Sequence, residues 1–508
     1  MSRLSLLLKG SLLQTVEAIV SIVVGFITLP LMMSFLGAEK YGVWILVGGF
    51  AGLLYIFDLG FASSVTRGVA ASIARRDDIK TNNIVNSALV IYTSLAVLIA
   101  LCVGILAFLY DPGSDSVISQ SELTWVIALV GFSIAIEFPF KAFAGLTSAH
   151  LRYDLIAAYK ITIKLISTGC LLYLLYAGYE LIAIAWLQVI TGLVSNITFF
   201  LIARNTFKNL QVSIKLIKRE TFAELFSYSS WAFVIDLNRL LKERVDLFFV
   251  GAFISLGAVS IYYVSVRIVE YSLQLLYKSL NLALPILTGD HSKGDSESFA
   301  KNLLLVNRAY MYCSVLTLIF YIVWGETIFY YWMGSDFAHH EAYSILLILL
   351  GGRLAAFSSQ GFNTALYASA KHKLLAWFNI LETIATTILL ALLLGGFGQG
   401  VISAALAIAM PLIISRMLFL PLIASYHMEI ENPKKILTLS FRPLGLAIAA
   451  LLAQLIIPIK ATFSLNHLLL SGVMVILIVL FCALDLLPRE RALIVRLLSP
   501  LRKKISSI

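Results

Sequence analysis

Long apolar runs separated by short polar breaks organise the chain. Runs long enough to cross a bilayer as a helix, at about 20 residues each, fall near 11–36, 41–65, 84–109, 122–148, 155–177 and 180–203. A polar, basic stretch follows. Further runs then lie near 221–250, 256–288, 301–325, 341–370, 374–394, 398–424, 436–458 and 465–486. The pattern predicts an all-α polytopic membrane protein of about fourteen transmembrane helices. The expected organisation is an N-terminal six-helix lobe at 1–203, a basic cytoplasmic linker at 204–220 and a second six-helix lobe at 221–424. Two additional helices fall within 425–488, and a basic amphipathic tail closes the chain at 489–508.

An internal repeat supports two lobes. Leu36-Gly37-Ala38 returns as Leu256-Gly257-Ala258, each in a short turn after the first helix of its half. Gly178 with Leu181-Ile182 aligns with Gly398 with Val401-Ile402 at the same offset, and the link Arg75–Asp78 aligns with Asp295–Ser298. Six helices per half is an even number, so the halves enter the membrane in the same direction and the repeat is parallel. Two bundles joined by one inner linker suit rocking around a site at their interface, the organisation of a transporter.

Charge fixes the orientation. With the N-terminus inside, the inner side carries most of the cations, among them Arg67, Arg75, Arg76, Lys80, Arg204, Lys208, Lys215, Lys218 and Arg219. The outer loops hold Lys40 and Lys460. This asymmetry places both termini in the cytoplasm. The tail interleaves Leu493, Ile494, Leu497, Leu498 and Leu501 with arginines, which suits either a short helix on the anionic inner leaflet or a frayed basic end.

Composition excludes a soluble protein. Of 508 residues 60% are hydrophobic and 13% charged, against about 25% charged in soluble domains. The net charge of +10 follows from Lys/Arg-rich inner loops, and no nucleic-acid partner is expected. Cys102, Cys170, Cys313 and Cys482 each sit in an apolar run without disulfide or metal spacing. Met1 to Gly10 is short and basic and leads into a span too long for a signal-peptide core, so no cleavable signal is expected.

The seventh run is the chemical centre. Its middle carries Asp236, Arg239, Lys242, Glu243, Arg244 and Asp246. At about 100° per residue all but Arg244 fall within roughly a third of the helix circumference. A charge at the bilayer centre costs about 2.5–3.5 kcal/mol on insertion scales, so this face turns from lipid toward protein or a water-filled cavity. A cytosolic amphipathic helix, or a structural ion-pair ladder between helices, is the alternative. Other helices carry polar faces at helical spacing: Gln14, Glu17, Ser21, Gly25 and Thr28; Tyr55, Asp58, Thr66 and Arg67; Arg267, Glu270, Gln274, Lys278 and Asn281; Arg353, Gln360, Asn363 and Tyr367.

Arg239, Lys242, Arg267 and Arg353 form a cation set suited to phosphate or pyrophosphate, Arg as a planar fork and Lys as a point charge. Gln274, Gln360 and Asn363 supply neutral hydrogen-bonding groups beside them. The acids Glu17, Asp58, Asp236, Glu243 and Glu270 neutralise those cations at rest or bind Na⁺ or H⁺. Pairing of Arg239 with Glu243 and of Arg267 with Glu270 within their own helices is the structural alternative. Spacing also predicts a Glu137–Lys141 pair and a bridge between Glu382 and Arg416, with no role assigned to either. His339 and His340 lie in an outer loop; with no Cys and no third close ligand evident, solvated histidines are expected and no metal. No phosphate-cradling Gly-rich loop and no ATP-binding domain occurs, so the chain is not a self-sufficient ATP-driven pump and no enzyme activity is expected.

The opening GSLLQTVEAIVSIVVGFITLPLMMSFLGAEKYGVWILVGGFAGLLYIFDLGFASSVTRGVA resembles that of bacterial polysaccharide flippases of the O-antigen (Wzx-type) family. Their superfamily also holds MATE exporters and lipid II flippases. The resemblance rests on Leu29-Pro30, on Leu36-Gly37-Ala38 with Tyr41-Gly42, on Asp58-Leu59-Gly60 followed by Arg67, and on the segment VDLFFVGAFISLGAVSIYYVSVRIVE. It implies a fourteen-helix transporter of the bacterial inner membrane. Such a protein moves an undecaprenyl-pyrophosphate-linked oligosaccharide to the outer leaflet for lipopolysaccharide O-antigen, capsule or exopolysaccharide. Membrane lipids, a polysaccharide polymerase and chain-length proteins are the partners implied. An ion-coupled exporter of the MATE type is the alternative. A membrane-embedded polymerase or ligase is disfavoured by the short outer loops.

Overall fold

The computed structural model describes residues 3–109, 118–150, 152–279, 283–335, 337, 339–396, 400–428, 433–457, 461–488 and 490–491. The outer loop at 111–117, Asn281 and most of the tail at 489–508 lie outside the described residues, as do the side chains of Asp236, Arg239, Glu243 and Lys278. The described residues are helical, turn or loop, with no strand among them. Contacts divide the chain into two compact units, Met1–Ser260 and Ile261–Ile508.

The first unit contains α1 (Arg3–Leu54), α2 (Phe61–Ala74), α3 (Asp78–Leu109), α4 (Gln120–Ala149), α5 (Tyr153–Tyr176), α6 (Leu181–Thr206) and α7 (Arg219–Phe253). α4 packs on α2, α3 and α6; α1 packs on α5; α7 packs on α1, α2 and α3. Helix α8 (Leu256–Ser279) begins in this unit and continues into the next. Packing therefore groups the charged seventh helix with the first six, although the sequence repeat begins a new half there.

The second unit continues with α9 (Ala283–Ser292), α10 (Ser296–Met333), α11 (His339–Ser358), α12 (Gln360–Ala368), α13 (His372–Gly395) and α14 (Val401–Ile414). It ends with α15 (Leu420–His427), α16 (Pro433–Phe441), α17 (Leu444–Ile456) and α18 (Leu465–Asp485). α11 packs on α10 and α14, α14 on α13, and α17 on α10 and α18. The side chain of Asp295 accepts from the Ser298 amide at 2.9 Å and caps α10; the same bond holds its carboxyl below the ordinary range.

Among the described residues, 11 helices are long and apolar enough to cross a membrane. Large apolar side chains such as Leu101, Phe108, Tyr176, Leu455 and Leu480 face outward. A helical protein in lipid presents such a surface, since its backbone groups are satisfied within the helices. The chain is a multi-pass membrane protein. The difference between 11 and the expected number lies at two places. First, α1 holds two expected spans merged across Gly37, whose φ of 77° and ψ of 163° break the helix. Second, the charge-bearing α7 and α8 are not among the apolar set.

The segments that begin at the two repeat-related triplets meet. The Ser260 hydroxyl donates to the Ala38 carbonyl at 2.5 Å, just past the Gly37 break. A Cβ at Gly42 would stand 2.0 Å from the Leu256 carbonyl oxygen, so this position in the Tyr41-Gly42 motif admits only glycine without moving backbone. The basic linker is likewise held. Asn82 on α3 accepts from the Gln211 amide at 2.8 Å and donates to the Asn209 carbonyl at 2.9 Å. Asn86, one turn on, accepts from the Ser213 amide at 2.8 Å and donates to the Gln211 carbonyl at 2.7 Å.

Candidate functional site

Each unit holds a polar constellation inside its helices. In the first, the chain leaves α1 through a 3-10 turn, Tyr55–Asp58, and passes Leu59 at φ 50° and Gly60 at φ 76° before α2 begins. Two successive left-handed residues reverse the helix geometry, which an Asp-Leu-Gly sequence permits at its glycine and strains at its leucine. The break aims Asp58 inward. Its Oδ2 accepts from the Ala62 amide at 3.2 Å and satisfies an orphan donor at the start of α2. Its Oδ1 accepts from the Tyr92 hydroxyl on α3 at 3.0 Å and from Lys141 Nζ on α4 at 3.3 Å.

Glu137, one turn before Lys141, accepts from the Tyr55 hydroxyl at 2.7 Å. Lys141 Nζ stands 4.1 Å from the Phe138 ring centroid and 4.7 Å from that of Tyr55, a cation–π geometry that favours the charged ammonium. The pair predicted from spacing, Glu137 with Lys141, is thus replaced by Asp58 with Lys141. The reason is the chain reversal at Leu59-Gly60, which brings a second acid to Lys141 that helix spacing does not reveal. The Lys141 and Asp58 side chains are 16% and 15% exposed, so the pair is largely withdrawn from solvent and lipid. Two carboxyl groups and one ammonium converge there.

Elsewhere in this unit, Glu17 accepts from Ser21 at 3.4 Å, in keeping with one polar face on α1. On α7, Asp236, Arg239 and Glu243 lie on helical backbone with their side chains outside the described residues, and Lys242 is half-buried. Arg244, off the predicted face, lies against Gly52 of α1.

In the second unit, Arg267 pairs with Glu270 at 2.6 Å within α8, both side chains 31% exposed, and lies over the rings of Tyr263 and Tyr271. Gln274 is exposed. The predicted stripe Arg353, Gln360, Asn363 and Tyr367 crosses a junction, because α11 ends at Ser358 and α12 starts at Gln360. The Ser359 hydroxyl at the junction donates to the Arg416 carbonyl at 2.6 Å. Arg416 sits in a single π-helical turn, Ser415–Phe419, an insertion that re-aims side chains and recurs at functional sites.

The Arg416 guanidinium donates to both oxygens of buried Glu382 on α13, at 2.6 and 3.1 Å. This is the predicted bridge between neighbouring elements. Arg416 also donates to Asn379, and to Asn363 at 3.4 Å; Asn363 in turn donates to Gln360 at 3.0 Å. Gln360 and Asn363 thus extend a network that Arg416 and Glu382 anchor. Tyr277 lies in the field of Arg353 and Arg416. No carboxylate among the described residues pairs with half-buried Arg353. A cation without a partner among the described residues, inside the apolar span His339–Ala368, is suited to an anion. A cavity of about 700 Å³ lies apart from this network and is lined by residues of mixed sign, among them Asp290, Glu297, Lys301, Lys371 and Lys435.

Two clusters escape the sequence reading. Arg308, not singled out from the sequence, is fully buried and binds Asp485 at 2.7 Å and Glu490 at 2.6 Å. And the outer histidines do have a third close ligand: Glu326 stands with His339 and His340, one ligand atom from each lying within 4.8 Å of the others. The premise that no third ligand is close fails, because Glu326 belongs to α10, a separate helix whose end turns back beside α11, while His340 is 78% exposed as a solvated histidine would be. A carboxylate one loop away from a His-His pair was the available signal.

No curated protein sequence matches the chain. Solved structures share its fold. The lipid II flippase MurJ, in an inward closed conformation, superimposes with a TM-score of 0.64 at 15% identity, covering 94% of this chain and 99% of that one. A multidrug resistance MATE family transporter of the MOP superfamily, inward-facing, gives 0.60 at 13% identity, covering 81% and 96%. A MOP superfamily transporter from Pyrococcus furiosus, described as having a binding pocket of reverse polarity, gives 0.53 at 12% identity, covering 84% and 96%. At such identities the likeness establishes the fold. The family model "Polysaccharide biosynthesis protein" matches residues 7–288, more than half of the 508, and the chain belongs to the polysaccharide biosynthesis protein family.

Proposed function

We propose that the protein is a flippase of the bacterial cytoplasmic membrane with both termini in the cytoplasm. It carries an undecaprenyl-pyrophosphate-linked oligosaccharide from the inner to the outer leaflet, by alternating access, for a surface polysaccharide such as O-antigen, capsule or exopolysaccharide. The family assignment carries this reading. The fold shared with a lipid II flippase is compatible with it. The headgroup travels among polar side chains while the polyprenyl tail stays in lipid, which avoids dragging charge through hydrocarbon.

Arg353 is the first anchor for the pyrophosphate, because it is cationic, half-buried and unpaired among the described residues. Arg267 in the same unit is a second anchor, by exchanging Glu270 for substrate, and Arg239 and Lys242 are the candidate anchors of the first unit. Gln274, Gln360 and Asn363 serve sugar hydroxyls. Asp58, with Glu137 and Lys141 beside it, is the coupling group, taking up H⁺ or Na⁺; Glu17, Asp236, Glu243 and Glu270 balance the remaining cations.

The test is a lipid extract from a strain lacking the gene, with lipid-linked oligosaccharides resolved by mass. One complete repeat unit is expected to accumulate, shielded from externally added glycosidase, with surface polymer lost and restored by the intact gene. Arg353→Gln is expected to reproduce the deletion at normal protein level. An unchanged surface polymer with no accumulated intermediate, in a strain without redundant flippases, overturns the flippase reading; drug resistance conferred in its place points to an exporter.

A further inference from the structure

We propose that Glu326, His339 and His340 form a binding site for a divalent transition metal ion of the Zn²⁺ class, joining the end of α10 to the start of α11. Glu326 lies near the end of α10, and the two histidines are the first residues of α11. One ligand atom from each of the three lies within 4.8 Å of the others. Two imidazole nitrogens and a carboxylate oxygen are a donor set suited to zinc, with a position left for water. Ca²⁺ and Mg²⁺ prefer oxygen ligands.

Three details favour a ligand over a chance cluster. His339 Nδ1 stands 3.0 Å from the Phe337 carbonyl oxygen. A carbonyl only accepts, so Nδ1 carries the proton and Nε2 keeps its lone pair. This backbone brace is the usual outer partner of a metal-bound histidine. The Glu326 carboxylate is only 14% exposed, and its buried Oε1 receives no hydrogen bond, with the His340 imidazole as its ion-pair neighbour. His340 is 78% exposed, which leaves its ring room to turn onto an ion. The nearby His467 is excluded as a ligand, since its Nε2 bonds Thr327 at 2.7 Å and its Nδ1 faces the Ser464 amide at 3.1 Å.

An ion held this way fastens two neighbouring helices across their connecting loop and so restrains their relative movement. The site is independent of the pyrophosphate anchors and of the flippase reading.

The experiment uses tag-free, chelator-stripped full-length protein in detergent, titrated with Zn²⁺ and, as control, Mg²⁺. One Zn²⁺ per chain and a raised thermal midpoint are expected, with no response to Mg²⁺. His340→Ala changes an exposed side chain and leaves folding intact; it is expected to weaken Zn²⁺ binding at least about tenfold, as is Glu326→Gln. Zn²⁺ binding that is undiminished in both variants, or absent from the unaltered protein, overturns the proposal.

Discussion

Asp58→Asn is expected to abolish surface polymer in a complementation assay while the protein accumulates at its normal level. The asparagine keeps the shape of the aspartate. Its carbonyl oxygen continues to accept the Ala62 amide, now at 3.2 Å, and its amide remains beside the Tyr92 hydroxyl, now at 3.0 Å. What disappears is the charge facing Lys141 at 3.3 Å. The ammonium retains Glu137 one turn away on its own helix as an alternative partner. Loss of the protein is therefore not the expected result, and loss of transport is.

The magnitude follows from the proposed coupling. One elementary charge carried across 100 mV supplies about 2.3 kcal/mol, equivalent to about fiftyfold in a leaflet-to-leaflet ratio. Uncoupling forfeits that factor. Asp58→Ala serves as the contrast: it also strips the bond to the Ala62 amide, a loss of about 1 kcal/mol in stability. A strain carrying Asp58→Asn that makes wild-type amounts of polymer removes Asp58 from the coupling role, whatever Asp58→Ala does.

Arg308→Met is expected to destabilise the second unit by about 3–5 kcal/mol, because breaking a buried pair from one side leaves uncompensated charge. The Arg308 side chain is 0% exposed, and those of Asp485 and Glu490 are 5% and 8% exposed. Arg308 also donates to the Leu439 carbonyl at 2.6 Å, and Tyr312 adds a bond to Asp485 at 2.6 Å. One guanidinium on α10 thus holds the end of α18, the residues just beyond it and the end of α16. Removing it strands Glu490, leaves Asp485 with Tyr312 and the more distant Arg442 at 3.7 Å, and loosens the last helix.

The expected readout is a large fall in the thermal midpoint in detergent, together with protease sensitivity near 485–491. Replacing the group as a whole, with Arg308→Met, Asp485→Leu, Glu490→Leu and Tyr312→Phe, is expected to recover most of the loss, since apolar packing substitutes well for buried ion pairs. An unaltered midpoint in Arg308→Met shows that the clamp carries no stability.

Some of this was legible along the chain. The apolar runs marked the helices, since only helices satisfy their own backbone inside lipid. Motif positions also carried their reasons. Gly42 and Leu36-Gly37-Ala38 meet Leu256 and Ser260 at one close contact, and Asp58-Leu59-Gly60 is the break that aims an acid inward. Arg416 with Glu382 was readable as a bridge because both are costly intruders in long apolar runs.

The sequence by itself determined the class and most of the helices, because the length of an apolar run and a 3.6-residue period are local properties of the backbone. Tertiary structure alone decided the partners of three other residues. Lys141 turned from Glu137 to Asp58, Arg308 met Asp485 and Glu490 from far along the chain, and Glu326 joined two histidines on another helix. The physical reason is the same in all three. Periodicity states the direction a side chain takes from its own helix axis. Which neighbour stands in that direction depends on how helices are rotated, broken and packed against one another, and for these residues that is set by contacts distant along the chain.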